Sequence, residues 1–84
     1  MRYYVYALQS LKNDQLYIGI SNNPDNRLKE HNAGTTKSTK GFRPFIKIYQ
    51  EQCSSRIDAR NKEKYYKSSC GREFLKQFKK IIPR

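Results

Sequence analysis

Arg27 and His31 stand four residues apart in "NNPDNRLKEHNAG", so on a helix both project from one face, about one turn from each other. A guanidinium grips phosphate oxygens and an imidazole passes protons near neutral pH, a combination suited to chemistry on a phosphate. Upstream, "YYVYALQSLKNDQLYIG" holds four of the seven tyrosines: Tyr3, Tyr4, Tyr6 and Tyr17. A phenol beside a metal or cation can move a proton. Tyrosine also favours strands, where its ring covers a sheet face while the hydroxyl stays wet. Downstream, Glu63 lies among cations in "ARNKEKYYK". At spacings of four and seven, Ala59, Glu63 and Tyr66 share a helix face, so the carboxylate need not point away from the domain. Such a carboxylate holds Mg²⁺ through one oxygen and several waters where the metal also binds substrate phosphate; otherwise it pairs with Lys67 at i+4 or with Lys62.

These residues need a scaffold. Residues 2–8 and 16–20 are apolar and β-prone on either side of the polar break "SLKNDQ", which predicts a β-hairpin. Period-2 alternation puts Val5 with Ile18 and Ile20 on a buried face and leaves Tyr6 and Tyr17 to share the opposite one. A helix over about 24–33 follows, with Asn23 as its N-cap, Pro24 and Asp25 in the first turn and Gly34 as the stop. The stretch "TTKSTKGFRPF" reads as a loop and residues 45–52 as a third strand. Ser54 or Ser55 then caps a helix running to about Ser69 and ended by Gly71, and a last helix over about 72–80 buries Phe74, Leu75 and Phe78. The expected class is α+β: a three-stranded antiparallel sheet flanked by about three helices.

The 84 residues are expected to form a single domain over 1–84, with a modest core that buries about 60–65% of the unfolded surface. Eighteen Lys and Arg against seven Asp and Glu give a net charge of +11, which points to a polyanionic partner, with nucleic acid the foremost candidate. The excess lies mainly in the second half, where residues 43–84 hold twelve basic and four acidic side chains. Cys53 and Cys70 form no CxxC pair and only one His is present, which argues against a structural zinc site and for reduced thiols in a cytoplasmic protein. No apolar run approaches membrane-spanning length, and the N-terminus is too tyrosine-rich for a secretory segment. No membrane and no organic cofactor are expected.

Tyr4-Val5-Tyr6, ten residues, then Tyr17-Ile18-Gly19 resembles the two-part signature of the GIY-YIG nuclease superfamily. Arg27 in the following helix and Glu63 in a later basic helix match that family's other landmarks, so the resemblance spans about residues 2–80. It implies hydrolysis of DNA phosphodiester bonds with one divalent cation, Mg²⁺ or Mn²⁺. By position, Tyr6 and Tyr17 would line the active face, one of them helping to deprotonate the attacking water. Arg27 would stabilise the extra negative charge on the phosphate, Glu63 would ligate the metal, and His31 matches a position where some members use a His in proton transfer. The cations expected to meet the DNA are Lys12, Lys40, Arg60, Lys64, Lys67, Lys79 and Lys80.

The sequence departs from the pattern at Tyr4 and Val5, which replace Gly and Ile and suit a strand, and in having no Asn after Glu63, where many members carry one. A phenol with a pKa near 10 is a poor base at neutral pH, so the metal and Arg27 are expected to favour its phenolate. With no second domain to choose a sequence, recognition of DNA shape such as flaps or junctions is expected, in repair or recombination. Two other readings remain open here: a non-catalytic basic module that binds nucleic acid on the same fold, and a structural part of a ribonucleoprotein.

Overall fold

β1 (Tyr3–Ser10) is the central strand, pairing antiparallel with β2 (Leu16–Ser21) on one side and β3 (Phe45–Cys53) on the other. The computed structural model describes residues 2–81. Helices α1 (Pro24–Ala33), α2 (Arg56–Lys67) and α3 (Ser69–Lys76) complete the α+β fold, with a short 3₁₀ turn at Lys40–Phe42 inside the expected loop.

The alternation read from the sequence holds. Val5, Ala7 and Ile18 face α2 and α3, forming one core cluster with Cys53, Ala59, Tyr66 and Leu75, against which Tyr3 and Ile20 pack. Tyr6, Leu8 and Phe45 form a second cluster on the other face, joined by Tyr17 and by Leu28 of α1. Because both faces of β1 are covered, every residue from Val5 to Ser10 is buried. The register of β1 against β3 shifts between Ala7 and Leu8, whose partners are Tyr49 and Lys47. Ile48 is thus the extra residue of a bulge, and both Ile48 and Tyr49 reach the first core.

The helix ends follow local chemistry. The Asn23 side chain accepts from the Asn26 amide, Pro24 opens α1, and Gly34 closes it in the left-handed conformation. Ser55, not Ser54, caps α2 by accepting from the Asp58 amide. The join that follows corrects the sequence reading. Gly71 does not end a helix; α2 stops at Lys67, and extended Ser68 both ends α2 and caps α3, whose limits are Ser69–Lys76, not 72–80. Gly71 lies buried inside α3, where a Cβ would fall onto the Tyr65 carbonyl and the Tyr66 Cα, so its role is close approach of two helices. Neither neighbour is a movable side chain. Gly71→Ala should therefore cost about 3 kcal/mol, the upper end for overpacking, and lower Tm by roughly 12–24 °C in a calorimetric scan. Leu75 is buried as expected and Phe78 is half-buried, but Phe74 stays 39% exposed, with its ring against Tyr49, Tyr66 and Phe78.

Two side-chain amides tie distant segments to the sheet. Asn32 donates to the Phe45 carbonyl at 3.1 Å and accepts from the Phe45 amide at 2.6 Å, fastening the end of α1 to the start of β3. Gln9, fully buried in β1, does the same to Lys80, donating to its carbonyl at 3.0 Å and accepting from its amide at 2.8 Å. Each clasp satisfies a side-chain amide at two points.

Candidate active site

Tyr6 is buried directly opposite Gly19 in the β1–β2 ladder. A Cβ on Gly19 would stand 2.6 Å from the Tyr6 hydroxyl oxygen and 2.8 Å from its Cζ, so the ring lies across the bare glycine backbone. The glycine of "YIG" thereby makes room for the tyrosine of "YVY". Arg27, early in α1, reaches the Tyr6 hydroxyl, and Tyr17 and Glu63 lie within electrostatic range of the same phenol. Residues singled out in the sequence, from β2, α1 and α2, thus lie within electrostatic range of one phenol on β1.

Burial pushes the Tyr6 phenol above its ordinary value and outweighs the hydrogen bond and charge of Arg27. Tyr6 is therefore a neutral phenol at neutral pH. The phenolate expected from the sequence does not arise there by Arg27 alone; an Arg27 N–H donates to the Tyr6 oxygen, which leaves the O–H free to donate elsewhere. Arg27 also pairs with Glu30 at 2.8 Å, with its side chain 37% exposed. A pair this exposed is worth about 0.2–1 kcal/mol, so an incoming phosphate can displace Glu30 at little cost.

His31 is fully buried against the rings of Tyr17, at 4.8 Å between centroids, and Phe45, at 5.9 Å. Its Nδ1 is 2.8 Å from the Thr39 hydroxyl, which lies 3.3 Å from the Thr36 carbonyl as donor. With the Thr39 proton on that carbonyl, Nδ1–H donates to Thr39 and Nε2 presents a lone pair. Nε2 is buried and has no partner among the described residues. Burial, reinforced by Arg27 and opposed by Glu30, pushes the imidazole below its ordinary pKa. Since the unfolded chain then takes the proton first as pH falls, stability is held above about pH 6.5 and lost below it. The urea midpoint should drop between pH 7.5 and pH 5.5, and His31→Gln should flatten that change, because carboxylates titrate lower, near pH 4.

Glu63 projects from the α2 face that carries buried Ala59 and Tyr66, and its side chain is only 16% exposed. Its ion pairs are long: 3.9 Å to Arg60 and 3.4 Å to Lys67. Lys62, expected as an alternative partner, binds Glu51 at 2.8 Å instead. Among the described residues no group of three or more His, Cys, Asp or Glu gathers to hold a metal. A single, lightly engaged carboxylate beside Tyr6 fits a divalent ion whose other ligands are water and substrate phosphate, and does not fit an all-protein cage.

The expected cations do not form one patch. Arg60 and Lys67 flank Glu63, and Lys64 is exposed on the same helix. Lys12 lies on the β1–β2 loop and Lys40 in the 3₁₀ turn, both exposed, while Lys79 is half-buried and Lys80 is held through its backbone by Gln9. Sequence reading missed Thr39, the partner of His31, and Glu30, the partner of Arg27; the i,i+3 spacing of Glu30 was the one available signal. Cys53 and Cys70 are free thiols, as expected.

The sequence pattern of the GIY-YIG catalytic domain matches residues 2–77. The chain belongs to the GIY-YIG family. It is 37% identical over 76 residues to UPF0213 protein SH2523 of Staphylococcus haemolyticus, covering 89% of this chain and 92% of that protein. It is 38% identical over 65 residues to UPF0213 protein CPE1444 of Clostridium perfringens, covering 76% and 69%. The solution NMR structure of UPF0213 protein BH0048 from Bacillus halodurans superposes with a TM-score of 0.56 at 31% identity, covering 92% of this chain and 84% of that one. GIY-YIG domains are those of a nuclease family, generally dependent on divalent metal. Among the described residues no helix is long and apolar enough to cross a membrane.

Proposed function

We propose that this GIY-YIG domain is a divalent-metal-dependent DNA endonuclease of the cytoplasm, acting as a single domain over 1–84 and selective for DNA structure, in repair or recombination. The observation that carries the reading is the buried Tyr6 hydroxyl laid across Gly19, with Arg27 reaching it and Tyr17 and Glu63 within electrostatic range. Glu63 would hold one Mg²⁺ or Mn²⁺, which when bound supplies Lewis acidity to the phosphate and to water. Arg27 leaves Glu30 to grip a phosphate oxygen and stabilise charge that grows in the transition state. Tyr6, as a phenol, orients the attacking water or a phosphate oxygen by donating its proton. Tyr17 lies against His31, whose neutral ring offers Nε2 as the terminal proton acceptor. The cations of α2 on either side of Glu63 hold the flanking backbone.

A non-catalytic nucleic-acid-binding module is the second reading, favoured by the missing Asn after Glu63. Labelled single-stranded, duplex, flap and junction DNA, incubated with Mg²⁺ or Mn²⁺ and with EDTA, separate the two. Metal-dependent nicking that is lost in Tyr17→Phe at unchanged DNA affinity is the expected result. Tight, salt-sensitive binding without cutting on any substrate would replace it with the binding module.

A further inference from the structure

The loop that joins β1 to β2 separates two clefts, and Asn13, Gln15 and Leu16 belong to both. On one side is a pocket of about 230 Å³ walled by the rings of Tyr17, Phe42 and Phe45, with Ser38 at its edge. On the other is a cleft of about 320 Å³ bordered by Arg72, Lys76 and Lys79. Neither cleft is needed by the chemistry assigned to Tyr6, Arg27 and Glu63, yet the first opens beside Tyr17.

The aromatic pocket has the features of a site for one flat ring. It is smaller than the about 300–1,000 Å³ usual for larger ligands, which suits a single base and excludes a base pair. Phe42 is 46% exposed although it is a large apolar side chain, so one of its surfaces is open for stacking. The polar groups around the pocket divide into two kinds. Ser10 is engaged, donating to the Phe42 carbonyl at 2.5 Å and accepting from the amides of Lys12 and Asn13, and Thr39 is committed to His31. The side-chain amide of Gln15 and the hydroxyl of Ser38 have no hydrogen bond among the described residues and remain available to the edge of a base.

The second cleft offers what the adjoining backbone needs. Arg72 donates from Nε to the Lys67 carbonyl at 3.2 Å, which fixes the guanidinium and leaves its terminal nitrogens for an anion. Lys76 pairs with Glu73 at 2.8 Å, but both are well exposed, so that pair yields readily. Asp14 is the one carboxylate at this border, against three cations.

From these observations we infer that one unpaired nucleotide straddles the β1–β2 loop: its base enters the pocket against Phe42 beside Tyr17, and a neighbouring phosphate lies on Arg72, Lys76 and Lys79. The inference rests on the reading that this protein handles nucleic acid. It gives structural selectivity a physical cause, since a base can reach the pocket only from a single strand, a flap or a distorted junction.

The test is binding in EDTA, so that it does not depend on cleavage. The probes are a single-stranded oligonucleotide carrying 2-aminopurine, whose fluorescence falls on stacking, and a duplex of the same sequence. Wild type should bind the single strand with quenching. Phe42→Ala should lose about tenfold or more of single-strand affinity, with the quenching, while duplex affinity is unchanged. Gln15→Ala, at an exposed loop position, should weaken the single-strand complex in the same direction and guards against misfolding of the Phe42 variant. Arg72→Ala with Lys76→Ala should reduce the salt slope on single strands by about 0.7 per lost phosphate contact. Equal losses on both probes, or no loss on either, would overturn the inference. Quenched, Phe42-dependent binding without cutting on any substrate would leave it standing while removing the endonuclease reading.

Discussion

Arg27→Ala should lower kcat by about 10²–10³-fold with little change in KM. The reason is where the guanidinium rests. In the free protein it is shared between the Tyr6 hydroxyl and Glu30, and the Glu30 pair is exposed enough to break for about 1 kcal/mol or less. The gain from moving to a phosphate oxygen is largest when that oxygen carries extra charge, so the group acts on the transition state far more than on the bound substrate. In the one-metal reading no second ion shares this task, so it falls to Arg27. Truncation also releases the hydrogen bond to Tyr6, leaving a buried phenol without its charged partner. Steady-state kinetics on a cleavable flap decide the matter: a raised KM at constant kcat would mean that Arg27 only holds DNA. Neutralising Lys79 or Lys80, far along the chain from these groups, should instead weaken binding and flatten its salt dependence.

Glu63→Gln should abolish metal-dependent cleavage, by on the order of 10³-fold, while leaving DNA affinity measured in EDTA equal or slightly higher. The carboxylate stands between Arg60 and Lys67, so replacing it with an amide removes a negative charge from between two cations. A nucleic acid sees a more positive surface, and binding does not suffer. Stability should change by no more than about 0.5 kcal/mol, because the pairs lost are long and their cations exposed. Wild-type affinity, Tm and cleavage measured side by side with the variant separate metal binding from DNA binding. Retention of full cleavage in the variant would remove Glu63 from the metal site.

What could be read from the sequence was the part that local rules govern. The hairpin, the alternation that divides Val5 from Tyr6, and the start and stop of α1 all depend on residues a few positions apart. The convergence of Tyr6, Tyr17, Arg27 and Glu63 was legible through a resemblance, and the alternation placed both tyrosines on one face. The α2–α3 join was misread because a glycine near a helix end signals a cap, whereas Gly71 is required by the backbone of a neighbouring helix. The upward push on the Tyr6 phenol was illegible for a similar reason: proximity to Arg27 was foreseeable, but the depth of burial that outweighs it in the metal-free protein depends on the whole second core. Thr39 and Phe42 could not be assigned at all, since the 34–44 segment has no periodicity and its contacts with His31 and the aromatic pocket are tertiary.

The Gln9–Lys80 clasp bears on how the chain is made. β1 precedes its partners in the chain and is the strand on which both neighbours depend, yet β3 and the segment fastened by Gln9 lie some forty and seventy residues further on. A nascent chain holding only β1, β2 and α1 has a central strand with one open edge, and the Val5–Ala7 face, which α2 and α3 cover, is bare. The sheet therefore cannot mature until those later segments have been made. Folding waits for the late segments and then closes around the oldest strand, an order of assembly that favours slow, non-local pairing over stepwise growth.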